Sequence, residues 1–391
     1  MDELLSSLIK FRVNEELKNS INISDRLLYI VWNNIFLRNK IHKHILLFIE
    51  HSVVDLGIPY YYLFKYKSYI TTLKWFGDPL PDKNDFPPFL THLYLYRFNM
   101  LPTTLPNTIT TLTFGNNFNQ IITPNTLPNS LTTLTFGRYY NQVVIPDSLP
   151  NSLTTLTFGD CFNRVIEFKS LPNTITTLTF GHEFDQIITP DTLPNSLTTL
   201  TFGRYYNQAV IPGSLPNSLT TLTFGDCFNR VIAFRSLPNI LTTLTFGHEF
   251  DQKLLPGSLP NSLTILTFGY SFNQEVPPGT LPNNLTTLTF GNNFNQAILP
   301  DSLPNGLTTL TFGDCFNQVV LPNTFPNSLT TLTFGYSFNQ AVLPYTLPNN
   351  LTTLTFGNGF KQAVLPYTLP NSLTTLTFGR DYDQVVLPDL Q

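Results

Sequence analysis

The chain has 391 residues, of which 31 are proline, 20 glycine and 34 phenylalanine, and only 12% are charged. A hydrophobic content of 42% excludes a disordered chain, and a formal net charge of −4 argues against a protein that grips phosphate backbones without sequence preference. Asp2 and Glu3 stand where a secretory signal needs basic groups, no apolar run approaches the ~18 residues of a membrane span, and three cysteines fit a reducing compartment. The expectation is a cytoplasmic protein with neither nucleic acid nor membrane as partner.

Residues 1–63 read as a helical leader. The first 82 residues carry 10 Lys/Arg and 9 Asp/Glu, so 19 of the chain's 46 charges (21 basic plus 25 acidic) fall in that stretch. Ser24-Asp25 can cap a helix whose Leu27, Leu28, Val31, Trp32 and Ile35 recur at three- and four-residue spacing, and a second helix is expected through Ile41, Ile45 and Ile49. The leader is expected to cap the open edge of the repeats C-terminal to it; the alternative is a docking module, an F-box-like adapter segment. Residues 64–104 hold two degenerate repeats, one around Ile70 to Gly77 and a shortened one from Phe86 to Thr104.

From Leu105 to the end of the chain the sequence repeats every 22 residues. Leu-Pro-Asn recurs at 105, 127, 149 and onward to 369, with Phe-Pro-Asn at 325, which gives (369 − 105)/22 + 1 = 13 units over 105–391 without an insertion or deletion. Numbered from its first Leu, the unit is L-P-N-x-[LI]-T-T-L-T-F-G-x-x-[FY]-[ND]-Q-x-[VIL]-x-P-x-[ST]. Residues 127–192 and 193–258 also match as three-unit blocks, which indicates block duplication.

Alternation of Thr with Leu and Phe over positions 7–10 is the period-2 signature of a half-buried strand. Gly at position 11 is read as ending or bending that strand, and Pro at position 2 and usually at position 20 as forming corners. Positions 1, 5, 8, 10, 14 and 18 are expected to point inward. One coil buries ~9 to 18 kcal/mol of side chain against ~20 to 40 kcal/mol of backbone ordering, so it is stable only when stacked. Stacked at ~4.8 Å per coil, thirteen units make a mainly β solenoid about 60 Å long with a parallel ladder. Identical residues then lie above one another: the phenylalanines from Phe114 to Phe378 as an aromatic column, and positions 15 and 16 as amide ladders that satisfy turn backbone.

The unit resembles the FNIP repeat, a leucine-rich-repeat-like module of social amoebae and amoeba-infecting giant viruses. Leu-Pro-x-x-Leu-x-x-Leu-x-Phe-Gly, as at Leu149 to Gly159, and Phe294-Asn295-Gln296 carry the resemblance, as does Val31 to Ile41 in the leader. Gln follows Phe-Asn where the family has Ile-Pro, and position 13 is Asn only at Asn117 and Asn293. A flatter, mostly β solenoid is therefore as plausible as a horseshoe with a convex helix. The resemblance implies a protein-interaction scaffold and no catalytic residue.

Nothing in the sequence supports an enzyme, a cofactor or a metal. Cys161, Cys227 and Cys315 all occupy position 13, three and four coils apart, at least ~14 Å and beyond the reach of a disulfide. His182 and His248 are also three coils apart, and no phosphate loop or nucleophile triad is present. The informative positions are the variable ones, 12 and 13. There Arg138, Tyr139, Glu183, Arg204, Tyr205, Glu249 and Tyr270 are the candidate partner-binding residues, with Arg138–Asp160 and Arg204–Asp226 expected to pair across adjacent coils. The alternative is a solvated edge that balances its own charge. End-to-end self-association of open coils is a further possibility to test.

Overall fold

A computed structural model describes residues 32–100, 102 and 105–384. Most of the helix expected after Ser24-Asp25 lies outside them. Its last expected member, Ile35, instead opens helix α1 (Ile35–His51), which also contains Ile41, Ile45 and Ile49. The Asn34 side chain caps it by accepting from Leu37 N at 3.1 Å. Strand β1 (Val53–Leu56) comes directly after, so a strand lies within the stretch read as helical.

A short helix α2 (Tyr60–Leu63) and a 3-10 turn (Lys67–Tyr69) then lead into β2 (Thr72–Trp75), β3 (His92–Leu95) and β4 (Thr111–Phe114). Twelve three-residue strands succeed them at 22-residue intervals, from β5 (Thr133–Thr135) to β16 (Thr375–Thr377). Among the described residues they form one 16-stranded parallel sheet in strict sequence order. From β4 onward every register pairs a residue with the one 22 positions on, for example Thr133 with Thr155 and Leu134 with Leu156.

The coil running from Leu127 to Ser148 shows why this sequence closes on itself. It turns three corners, each with its own hydrogen bond: Leu131 N donates to Pro128 O at 3.1 Å, Tyr140 N to Gly137 O at 3.1 Å, and Ser148 N to Ile145 O at 3.2 Å. The third corner has Pro146 second and Asp147 third with φ 61°, the signature of a type II turn. Position 21 has a positive φ in every coil from Asn125 to Tyr367. Eight of those twelve residues are Asn, Asp or Gly, the types that enter this region at least cost. Between the second and third corners, positions 15–18 form neither helix nor strand. The convex helix of a standard horseshoe is therefore replaced by an extended, irregular run.

Position 6 ties neighbouring coils together. The Thr132 carbonyl accepts from Thr154 N at 2.9 Å, Thr155 N at 3.0 Å and Thr154 Oγ1 at 3.1 Å. The six inward positions form one continuous core, none more than 6% exposed from Leu105 to Val364. Within a coil the position-10 and position-14 rings stack at 3.8–4.0 Å between centroids. From coil to coil the position-10 rings are 5.5–5.8 Å apart and tilted by 6–11°. From Ser148 to Thr368, Ser or Thr at position 22 is buried as well, a seventh inward position that the apolar pattern does not reveal.

Gly at position 11 has a different reason from the one its place in the sequence suggests. Its φ is not positive, but a side-chain carbon there would overlap the carbonyl of the same glycine one coil earlier. The constraint is the close approach of stacked backbones rather than strand termination. At the N-terminal end the core is closed by Tyr61 of α2, fully buried with its ring edge-on to Trp75 at 5.2 Å and its hydroxyl bonded to Asp85 O. Helix α1 has no buried residue and touches the rest of the chain through aromatic contacts, Phe48 with Tyr69 and Phe89, and His51 stacked on Tyr66 at 4.3 Å.

Candidate functional site

Positions 12 and 13 form the corner immediately after the strand. The backbone there stays locked to the preceding coil, with Tyr139 N donating to Asn116 O at 2.9 Å, Cys161 N to Arg138 O at 2.8 Å and Glu183 N to Asp160 O at 2.7 Å. Side chains at this corner therefore vary on a fixed frame. Arg138 Nε lies 3.7 Å from Asp160 Oδ2, and Arg204 Nε lies 3.6 Å from Asp226 Oδ2, the two pairings expected from sequence. His182 Nδ1 approaches the other Asp160 oxygen at 3.7 Å. All these side chains are more than 40% exposed, so each pair orients its arginine but adds little stability.

Each arginine also covers a tyrosine: the Arg138 and Arg204 guanidinium carbons sit 5.6 Å from the Tyr139 and Tyr205 ring centres. Tyr270 stacks flat on His248 at 4.7 Å and 3°. Glu249 Oε1 lies 3.7 Å from Cys227 Sγ, and burial together with that carboxylate pushes the Cys227 thiol up. The corner thus brings Arg138 to Tyr139 and Arg204 to Tyr205, while keeping the two sets three coils apart. A shallow groove of about 490 Å³ runs beside the first set, lined by Tyr94, Tyr96, Asn116, Arg138 and Asp160 among others.

Beyond the corner the amide ladder holds the irregular run in place. Asn141 Oδ1 accepts from Asn163 N at 3.0 Å, and Asn163 Oδ1 accepts from Asp185 N at 3.0 Å and Gln186 Nε2 at 2.9 Å. Positions 15 and 16 are therefore structural, as their constancy suggests.

The third corner carries a pair of features that hydropathy and spacing do not single out. Where other coils have Pro at position 20, two have phenylalanine, Phe168 and Phe234, 59% and 62% exposed. Lys169 and Arg235 stand over them at 5.0 and 4.9 Å. A groove of about 550 Å³ lies there, with Asp147, Phe168, Lys169 and Asp191 in its lining. The signal in the sequence is the replacement of Pro by Phe in two units, visible when the coils are aligned.

Cys161, Cys227 and Cys315 are free thiols. Among the described residues no three His, Cys, Asp or Glu side chains come together as a metal site, and no helix is long and apolar enough to cross a membrane.

A parallel single-sheet solenoid of 22-residue coils with a leucine- and phenylalanine-lined core is a leucine-rich-repeat-like architecture. The chain matches the FNIP Repeat family in nine segments: 80–117, 99–139, 118–161, 140–183, 184–227, 228–271, 272–315, 316–359 and 338–381. It belongs to that family. Among solved structures it is similar to CroV588, described as a circular leucine-rich-repeat protein, with 42% identity, a TM-score of 0.79, and coverage of 87% of this chain and 55% of that one. The chain thus spans about half the length of CroV588. A more distant similarity in fold links it to TLR13 in a complex with ssRNA13, at 16% identity and TM-score 0.54, covering 85% of this chain and 55% of that one. No curated protein matches it.

Proposed function

We infer that this protein is a non-enzymatic scaffold that binds another protein along the corner formed by positions 12 and 13. One observation carries the reading: on a frame whose core, strand and amide-ladder positions are nearly constant, this corner displays a changing series of exposed Arg, Tyr, Glu, Asp and His side chains on a backbone locked to the preceding coil. Arg138 and Tyr139, then Arg204 and Tyr205, form paired cation–aromatic units of the kind enriched in protein interfaces. Glu183, Glu249 and Tyr270 extend the same stripe. Repetition at three-coil spacing favours a partner that engages several coils at once, with a gain from multivalency. The likeness to CroV588, described as a circular leucine-rich-repeat protein, supports a curved scaffold.

The test compares the full chain with an Arg138→Ala/Tyr139→Ala/Arg204→Ala/Tyr205→Ala variant in cross-linking and affinity capture. A partner retained by the first and lost by the second, with an unchanged circular dichroism spectrum, supports the reading. A partner set identical for both proteins overturns it.

A further inference from the structure

The third corner changes character along the solenoid. At position 19 the early coils mix polar and apolar residues, with Thr123, Glu167 and Thr189 among them. From Leu255 onward that position is apolar in every described coil, and Leu299, Leu321, Leu343 and Leu365 make four consecutive leucines that are 46–50% exposed. The neighbouring outward column, position 17, is Ala or Val in the same four coils. Beside it Tyr345 and Tyr367 stack at 6.2 Å between ring centres, 78% and 52% exposed. Both tyrosines occupy the positive-φ position, where Asn, Asp and Gly are usual. Between Asp314 and Lys361 no residue is charged.

The geometry points to this apolar ladder as a contact between two copies of the chain, packed side by side through their outer faces. Three properties identify the occupant. A row of identical side chains at constant pitch is complementary to a second such row, and a two-fold axis sets like against like, as closed dimers require. Like against like is tolerated only without charge, and the middle of the ladder, Leu321, Leu343 and Tyr345, lies between Asp314 and Lys361, where no residue is charged. Four leucines at 46–50% exposure, with Tyr345 and Tyr367 at 78% and 52% and small side chains beside them, make one contiguous apolar patch, the kind of surface that marks an association site on a folded protein. This contact is lateral, so it leaves both ends of the sheet and the whole position-12 corner open.

The experiment is analytical ultracentrifugation of the full chain over a wide concentration range. Two variants accompany it: Leu321→Glu/Leu343→Glu, and the milder Leu321→Thr/Leu343→Thr/Tyr345→Asn, which uses only residues this solenoid already carries at those positions. The expected result is a wild-type species of twice the 44.3 kDa chain mass, with the dimer dissociation constant raised at least ~100-fold in both variants. An Ile145→Glu/Ile211→Glu control in the early coils leaves the dimer intact. A wild-type monomer at every concentration overturns the inference, and so does a dimer that survives the milder variant with its spectrum unchanged.

Discussion

Gly181 lies so close over Gly159 that a methyl group on the former would fall onto the latter's carbonyl oxygen. The same relation recurs from Gly137 to Gly357, and the atom in the way is always backbone. Neither coil can yield without breaking the ladder that holds both.

Gly181→Ala is therefore expected to cost about 3 kcal/mol, the upper end of overpacking. Gly213 has a different role: its φ is +83°, nothing lies within 4 Å of the added carbon, and Asn125 and Asn323 occupy the matching place at 63° and 64°. Gly213→Asn should shift stability by less than ~0.5 kcal/mol. Urea denaturation of the two variants checks the contrast, and equal losses would refute it.

Asn163 accepts two hydrogen bonds from the next coil, so Asn163→Ala strands two half-buried donors and should lose about 1–3 kcal/mol. Asn163→Asp should be close to neutral. Asp185 already accepts from Asn207 N at 2.8 Å, and Asp251 from Asn273 N at 2.9 Å and Gln274 Nε2 at 3.0 Å. Thermal melts of both variants would show whether the carboxylate serves as well as the amide.

Burial holds the phenols of Tyr140 and Tyr206 well above their ordinary value of 10.0, with Asp185 adding to the effect at Tyr206. The unfolded chain releases these protons near pH 10 while the folded one retains them. Their contribution is therefore intact below pH 10 and declines as pH rises above it, at up to about 1.4 kcal/mol per pH unit for each group. A Tyr140→Phe/Tyr206→Phe variant should flatten the alkaline limb of a stability–pH profile, and an unchanged limb would count against this account.

The buried hydroxyls at position 22 divide into two sets. Ser148 Oγ donates to Ile145 O at 2.7 Å, whereas Ser258, Thr280, Ser302, Thr324 and Thr346 are buried with no hydrogen-bond partner. Ser148→Ala should cost about 1 kcal/mol, while Thr324→Val should be neutral or stabilising by up to ~1 kcal/mol. Paired denaturation curves decide, and a loss at Thr324 matching that at Ser148 would argue for a hidden partner.

Much of the architecture is legible in the sequence because the period is rigid. Once Leu, Phe and Val recur at fixed offsets of 22, their stacking into one column is a consequence of strand geometry, and the Arg138–Asp160 and Arg204–Asp226 pairings are a consequence of adjacency. The features that hydropathy does not show depend on backbone conformation or on neighbours. Position 21 reads as variable until its φ is known, although Asn, Asp and Gly already hint at it. Position 22 is polar and so resembles surface, yet the turn it closes carries it inside. Strand β1 is hidden because Val53-Val54-Asp55-Leu56 breaks the alternation with two adjacent valines and lacks the threonines of later units. The ladder at position 19 is apolar but outward-facing, which residue type alone cannot distinguish from core.

The unbroken 22-residue offset between paired strands has a genetic corollary. A splice that removes or duplicates whole units joins two surfaces that already fit, with no altered loop and no shifted register at the seam. The near-identity of 127–192 and 193–258 is what such an event leaves behind. Length in this molecule is thus a freely adjustable trait, and recombination between its own repeats can tune reach without having to rediscover a fold.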